Sequence, residues 1–250
     1  TQSTAAVGIV FTVMALIQAF GFFYGQGSGN YISRKLGARE YEDAAIMAST
    51  GFFMAIITGV VITIAGLIFL EPISVFLGST PTILPYTKAY LRIILLGAPF
   101  IMSSFVLNNQ LRFQGSAAYA MVGIVTGAVV NVVLDPIFIF VFDMGVAGAA
   151  LATVISQAVS FTLLCFGSAK GGNIRISYKN FRPSRSILWE MARGGFPSLC
   201  RQGLASVSGM LLNHAAGSYG GAAGDAAIAA MSIVTRVSMF ANSALIGFGQ

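Results

Sequence analysis

A polar pair interrupts a long apolar segment at Asn131-Val-Val-Leu-Asp135-Pro136. Asp135 is the one carboxylate of the sequence that falls neither at a segment end nor in a connection. Inserting an ionisable side chain at membrane depth commonly costs about 3 kcal/mol, so such a residue usually has a functional role. Asn131 precedes Asp135 by four residues and therefore shares its helical face. Pro136 removes a backbone donor and loosens the helix at that level. The pattern indicates a polar site inside a membrane helix.

The surrounding composition is typical of a membrane protein. Of the 250 residues, 56% are hydrophobic and 9% are charged, whereas a soluble domain carries about 25% charged residues. A helix that spans a bilayer needs roughly 20 mostly apolar residues. Seven segments reach that length, at about 4–30, 44–70, 86–109, 117–142, 146–169, 196–217 and 226–250. The sequence therefore predicts an all-α polytopic membrane protein with about seven transmembrane helices in this chain.

Basic residues occur in every second connection. They follow the first, third and fifth segments, at Arg34, Lys35, Arg39, Arg112, Lys170, Arg175, Lys179, Arg182, Arg185 and Arg193. The other connections contain only acidic charges, at Glu71, Asp143 and Asp225. Because basic loops mark the cytoplasmic side of a membrane, Thr1 is predicted to lie outside. This distribution explains the net charge of +6 without a nucleic-acid partner.

The longest polar connection, residues 170–186, is the best candidate for a boundary between two lobes. Residues 184–193 come next, with Trp189 near their middle, and lead into Pro197. They are compatible with an interfacial helix and equally with a simple extension of the sixth segment. The sequence begins without an initiator methionine and stops inside an apolar segment, so we expect an internal piece of a longer protein.

Three strings of the sequence together carry a family resemblance. Two are connections, Ile32-Ser-Arg-Lys-Leu-Gly-Ala-Arg-Glu and Leu111-Arg-Phe-Gln-Gly. The third and most specific joins the Asn131–Pro136 stretch to Gly145-Val-Ala-Gly-Ala-Ala-Leu-Ala-Thr-Val-Ile-Ser-Gln157. They resemble the loops after helices two and four, and the signature of helices five and six, in the multidrug and toxic compound extrusion (MATE) antiporters. The resemblance is strongest to the bacterial MepA/DinF-like branch of that family.

The resemblance implies a two-lobe helical transporter, of which this chain would supply helices two to eight of twelve. Residues 1–169 would form helices two to six of the N-lobe, and residues 170–186 the cytoplasmic connection between the lobes. Residues 187–250 would form helices seven and eight, at the start of the C-lobe. The resemblance also implies a monomer that crosses the bacterial inner (plasma) membrane many times, with the lipid bilayer and small organic cations as its partners.

In this family the two lobes rock around a central cavity and exchange a cation for an organic drug. The resemblance thus implies efflux of organic cations in antiport with H⁺ or Na⁺, with no enzymatic activity and no cofactor. Asn131 and Asp135 match the motif of the N-lobe cation and proton site, where Na⁺ is the one metal ion expected. Thr153 on helix six and Tyr90 on helix four fall where the family places further polar groups. The family's helix-one aspartate cannot be carried over to this chain.

Each of these residues also has a purely structural interpretation. Asp135 would then cap a proline-kinked helix near the outer leaflet, and Asn131 would serve as interhelical packing. Thr153 would bond back to a carbonyl of its own helix, and Tyr90 would anchor at the membrane interface. His214, the only histidine, is interpreted as a polar contact rather than a proton relay.

Two other functions stay open. A lipid-linked oligosaccharide flippase of the same superfamily would need cavity cations to hold a pyrophosphate, and Arg201 and Arg236 are the only deep candidates. The Asn-x-x-x-Asp-Pro motif favours the drug antiporter. An intramembrane enzyme would need paired acids, a Ser-His pair or a metal cluster at one depth. Asp135 and His214 are predicted to lie at different depths, which argues against an enzyme.

Overall fold

This computed structural model describes residues 2–77, 79, 81–171 and 174–219, and most of these residues are in helices. The α-helices are α1 (Gln2–Gly37), α2 (Tyr41–Ile68), α3 (Leu70–Phe76), α4 (Leu84–Phe113), α5 (Ala117–Pro136), α6 (Gly145–Gly171) and α7 (Arg185–Tyr219). A π-helical turn, Ile137–Val141, continues α5, and a 3-10 turn, Tyr178–Asn180, lies before α7. The chain divides into two compact units, Thr1–Leu199 and Cys200–Gln250.

Five of these helices are long and apolar enough to cross a membrane. The spans are Val10–Gly37, Tyr41–Ile68, Leu84–Phe113, Ala117–Val141 and Gly145–Lys170. They correspond to the first five predicted segments. The sixth predicted segment, 196–217, falls inside α7, which is not one of these five, and the seventh, 226–250, lies outside the described residues. The predicted all-α polytopic membrane fold is confirmed, whereas the lobe boundaries stay a prediction.

α4 is the central helix of the first unit and packs against α1, α2, α5 and α6. Many of its large apolar side chains are fully buried, including Leu91, Ile94 and Met102. α5 has the opposite character, because it exposes apolar side chains such as Val132, of which 71% is exposed. A helix that is apolar on all sides is typical of a membrane span whose outer face contacts lipid. α4 therefore forms the core, and α5 lies at its lipid-facing edge.

Two of the three basic residues after the first segment, Arg34 and Lys35, lie inside α1 rather than in a connection, contrary to the sequence-based placement, whereas Arg39 lies in the turn that follows. α1 continues to Gly37, so Arg34 and Lys35 occupy its last turn, where cations complement the helix dipole. Lys35 Nζ pairs with Asp43 Oδ2 at 2.9 Å and also with the carboxylate of Glu40. These ion pairs close the turn between α1 and α2.

The connection after α6 folds back onto the helix ends as a strap, which we define as residues 174–184. Three of its backbone N–H groups donate to helix side chains: Ile174 to Gln114 Oε1 at 3.2 Å, Ser177 to Ser49 Oγ at 3.2 Å, and Arg182 to Thr50 Oγ1 at 3.3 Å. A polar connection is thus held in place by two hydroxyl groups of α2 and by the amide of Gln114, which follows α4.

Residues 184–193 do not form a separate interfacial helix. α7 begins at Arg185 and continues without interruption through Pro197, so the alternative of an extended sixth segment is correct. The start of α7 is fixed locally, because the Ser184 side chain accepts a hydrogen bond from the Ile187 N–H at 3.3 Å. A serine in this position satisfies one of the free N–H groups at a helix start.

One buried amide joins three helices on the side where the strap lies. Gln110 of α4 is 1% exposed. Its Nε2 donates to Ser28 Oγ of α1 and to the Ala48 carbonyl of α2, both at 3.0 Å. Its Oε1 has no hydrogen-bond partner within the described residues. Gln110 therefore fixes the position of α4 against α1 and α2.

Two glycines allow close contact between helices. A Cβ atom at Gly59 of α2 would lie 2.6 Å from the Cα of Pro99 in α4, and one at Gly127 of α5 would lie 2.9 Å from the Cβ of Ser160 in α6. Membrane helices commonly use small residues where their backbones approach in this way. The second contact brings the polar faces of α5 and α6 together.

Candidate functional site

The polar pair of α5 lies at the end of the regular helix. Asn131 Nδ2 donates to Asp135 Oδ1 across one turn, at a long distance of 3.4 Å, and both side chains are half-buried. α5 ends at Pro136, and the chain continues as the π-helical turn Ile137–Val141. The change in helix type fits the loosening predicted from Pro136. The carboxylate therefore lies where the backbone changes its hydrogen-bonding pattern.

A cavity of about 290 Å³ lies between α4, α5 and α6. Its polar lining consists of Ser104, Asn108, Asn131, Thr153, Ser156, Gln157 and Ser160. Its apolar lining consists of Phe105, Ile124, Gly127, Ala128 and Leu164. None of these side chains carries a formal charge, so the cavity offers neutral hydrogen-bonding groups beside one aromatic ring.

The polar groups of α6 form a stripe with helical spacing. Thr153, Ser156, Gln157 and Ser160 recur at intervals of three and four residues, which places them on one face. The hydroxyl of Thr153 donates to the Ala149 carbonyl at 3.0 Å, and that of Ser156 donates to the Ala152 carbonyl at 2.7 Å. Each donor is satisfied within α6 itself. The oxygen lone pairs of these hydroxyls therefore remain available to a ligand.

Tyr90 of α4 is buried in the core with 5% of its surface exposed, so its interpretation as an interface anchor is wrong. Its hydroxyl lies 4.0 Å from the Met14 sulfur and also interacts electrostatically with Thr153 and Asp135. Thr153 shows the back-bond to its own helix, yet its side chain also lines the cavity.

The structure thus brings the four sequence-predicted site residues into one group. Asn131 and Thr153 line the cavity, and Asp135 and Tyr90 contact those two residues from outside its lining. Their role in binding a cation stays a prediction.

Five polar lining residues were not singled out from the sequence. They are Ser104, Asn108, Ser156, Gln157 and Ser160. Two of them point to neighbours across the cavity wall, since Asn108 Nδ2 donates to the Ala120 carbonyl at 2.9 Å and Ser104 Oγ to the Gln157 carbonyl at 3.4 Å. Polar residues repeating at helical spacing inside apolar segments were the signal that could have identified them.

Other candidate residues do not add to this group. Arg201 is exposed on the part of α7 that belongs to the second unit, the His214 side chain is not described, and Arg236 lies outside the described residues. Within the described part of the chain, no three His, Cys, Asp or Glu side chains come together as a metal site. One carboxylate with neutral oxygens can balance a single positive charge, which fits H⁺ or Na⁺.

Comparisons with known proteins converge on one family. The family model described as MatE matches residues 1–137. The multidrug export protein MepA of Staphylococcus saprophyticus is 33% identical over 244 residues, covering 97% of this chain and 53% of MepA. A crystal structure of MATE in complex with MaL6 aligns with a TM-score of 0.89 at 34% identity, covering 96% of this chain and 53% of that one.

A second solved structure is a transporter of the MOP superfamily from Pyrococcus furiosus, for which a reversed polarity of the binding pocket suggests a different function. It aligns with a TM-score of 0.87 at 34% identity, covering 96% of this chain and 53% of that one. The chain spans about half the length of the curated relatives it matches.

Proposed function

The chain belongs to the MatE family, and we propose that it works in a secondary transporter that exports organic cations in exchange for H⁺ or Na⁺. The five spans and the bacterial relatives support its multi-pass location in a bacterial membrane. One observation carries the proposal: Asn131 lines a neutral polar cavity and is hydrogen-bonded to Asp135. The same amide can therefore respond both to a compound in the cavity and to a cation at the carboxylate.

The lining of the cavity favours an uncharged or cationic compound. Its volume of about 290 Å³ is close to the lower end of small-molecule pockets, which are roughly 300–1,000 Å³. Phe105 supplies a ring face for a planar or cationic group, and Asp135 supplies a nearby negative charge. A flippase would have to hold a pyrophosphate, and no Lys or Arg lines this cavity. The geometry thus supports drug efflux over lipid-linked oligosaccharide transport.

Coupling would depend on competition for the Asp135 carboxylate. As a free carboxylate, Asp135 accepts the hydrogen bond of Asn131. A proton or a Na⁺ ion on the same oxygen weakens that acceptor, so the amide of Asn131 is held less strongly and can turn toward a partner in the cavity. Because the helix changes type directly after Pro136, a small shift there can alter α5. A cation that binds the two transport states unequally then shifts their populations.

The test compares efflux of an ethidium-type cation from proteoliposomes that contain the full-length protein. Either a H⁺ gradient or a Na⁺ gradient is imposed across wild type and Asp135→Asn. We expect Asp135→Asn to lose gradient-driven efflux while its melting temperature stays unchanged, because the amide keeps the shape but removes the charge. The gradient that drives the wild-type protein identifies the coupling ion.

Asp143→Asn is the matched control, since Asp143 lies in the turn after the π-helical segment and is exposed. Its φ of 51° is a left-handed conformation that asparagine also tolerates. This variant should transport like wild type. Full gradient-driven efflux by Asp135→Asn would reduce Asp135 to a structural residue. An absence of drug efflux under both gradients would move the flippase to first place.

A further inference from the structure

Aromatic contacts hold the strap against the first unit. The rings of Tyr178 and Phe181 contact Phe53 of α2 edge-on, with centroid distances of 5.7 and 5.6 Å. They add to the three backbone hydrogen bonds from the strap to α2 and to Gln114. The strap therefore presents its outward side chains from a fixed backbone.

The charged side chains among them are all basic. Four exposed cations lie on the strap and at the start of α7, Arg175, Lys179, Arg182 and Arg185. No acidic residue occurs from 174 to 189, and none of the four cations is in an ion pair within the described residues. By contrast, Arg34 and Lys35 on the same predicted face both have carboxylate partners. These four cations thus remain available to an anion from outside the protein.

Trp189 indicates the depth at which this basic surface lies. It is the only tryptophan of the sequence and is 69% exposed. Together with Arg185, one helical turn earlier, it lines an open groove of about 660 Å³. Exposed Trp and Tyr side chains collect at the headgroup level of a membrane, and Tyr178 is 77% exposed. Cations and interfacial aromatic side chains therefore occupy the same face.

We propose that the strap and the first turns of α7 bind the headgroup of an anionic phospholipid in the cytoplasmic leaflet. The phosphodiester charge complements the four exposed cations, and the acyl chains would follow the apolar face of α7, where Phe196 is 60% exposed. Basic segments next to a transmembrane helix attract anionic lipids in this way. The binding does not depend on the proposed transport, so the two can fail separately.

Trp189 provides the measurement, because it is the only tryptophan of this sequence. Any tryptophan in the rest of the full-length protein is replaced with phenylalanine, so that the fluorescence reports on this site. The full-length protein is reconstituted in phosphatidylcholine bilayers that contain increasing fractions of a brominated lipid, either phosphatidylglycerol or phosphatidylcholine. Brominated phosphatidylglycerol should quench Trp189 at a much lower mole fraction. Each cation near an anionic surface contributes about fivefold, so Arg182→Gln/Arg185→Gln should lose most of the preference.

The matched control is Arg39→Gln/Lys170→Gln, which removes two exposed cations from the same predicted face and should keep the wild-type preference. Equal quenching by the two brominated lipids in the wild-type protein would overturn the proposal. An equal loss of preference in the control variant would also overturn it, because the effect would then come from net charge rather than from the strap.

Discussion

Two groups of polar side chains lie among the membrane helices, and they differ in where their hydrogen bonds go. Gln110 donates across helices, to Ser28 of α1 and to the Ala48 carbonyl of α2. Thr153 and Ser156 donate to carbonyl groups four residues earlier in their own helix α6. The first group joins helices to each other, whereas the second group faces the cavity between α4, α5 and α6.

The difference shows that residue type alone does not distinguish the polar side chains that join helices from those that can bind a ligand. A side chain that bonds across helices cannot exchange its partner without moving a helix. A hydroxyl that is satisfied within its own helix keeps its lone pairs free, at little cost to the fold. The α6 hydroxyls of the cavity can therefore bind and release a ligand. The cross-helix bonds, including those of Ser104 and Asn108 in the cavity wall, hold the helices in place.

The largest effect on stability is expected for Gln110→Leu. The substitution removes two cross-helix hydrogen bonds of about 0.6 kcal/mol each in a membrane. The Ala48 carbonyl keeps its backbone hydrogen bond within α2, so the total loss is about 1 kcal/mol. Thermal unfolding of the purified protein in detergent should show a lower melting temperature, and transport per folded molecule should be retained.

Gln157→Leu is the matched control for that change, because Gln157 lines the cavity and its side chain makes no cross-helix hydrogen bond in the described part of the chain. This variant should keep its melting temperature and bind organic cations more weakly. If Gln157→Leu lowers stability as much as Gln110→Leu does, the division into two groups of polar side chains is wrong.

A smaller effect, on transport rather than on stability, is expected for Thr153→Val. Valine has nearly the shape of threonine, but it removes a hydroxyl oxygen from the cavity and from the neighbourhood of Tyr90 and Asp135. Loss of one hydrogen bond to a charged group weakens coupling-ion binding roughly tenfold. The measurement is the half-saturating H⁺ or Na⁺ concentration for efflux.

Thr162→Val serves as its control on the same helix. The Thr162 hydroxyl donates to the Ala158 carbonyl at 2.8 Å, but the side chain is exposed on the outer face of α6. Both variants should melt at the wild-type temperature, and only Thr153→Val should shift the ion dependence. Equal shifts in both variants would show that the own-helix bond, rather than the cavity, determines the effect.

Much of the fold could be predicted because its signal is local. Each apolar segment carries its own length and composition, so the first five spans agree with the helices. Asn131 and Asp135 could be paired because four residues in one helix define one face. The family resemblance was also carried by local strings, and the MatE match to residues 1–137 confirmed it.

The rest of the site depends on how different helices are aligned, which no single segment encodes. Ser104 and Ser156 share one cavity only because α4 and α6 pack at a particular register. Likewise, Gln110 and its partners Ser28 and Ala48 are separated by 82 and 62 residues in sequence. Such contacts are set by tertiary packing, so the sequence analysis missed the cavity lining and the cross-helix amide.

The smallest effect is expected where a cross-helix bond holds only the strap. Ser49 is buried, and its Oγ accepts from the Ser177 N–H at 3.2 Å. Ser49→Ala should cost about 0.6 kcal/mol, which leaves the melting temperature almost unchanged but makes hydrogen exchange at the Ser177 amide about threefold faster. Ser33→Ala is the control, because its hydroxyl donates to Asn30 within α1. Unchanged exchange at Ser177 in Ser49→Ala would show that the Ser49 hydroxyl does not hold the strap, which would then be fixed by its two other hydrogen bonds and its aromatic contacts.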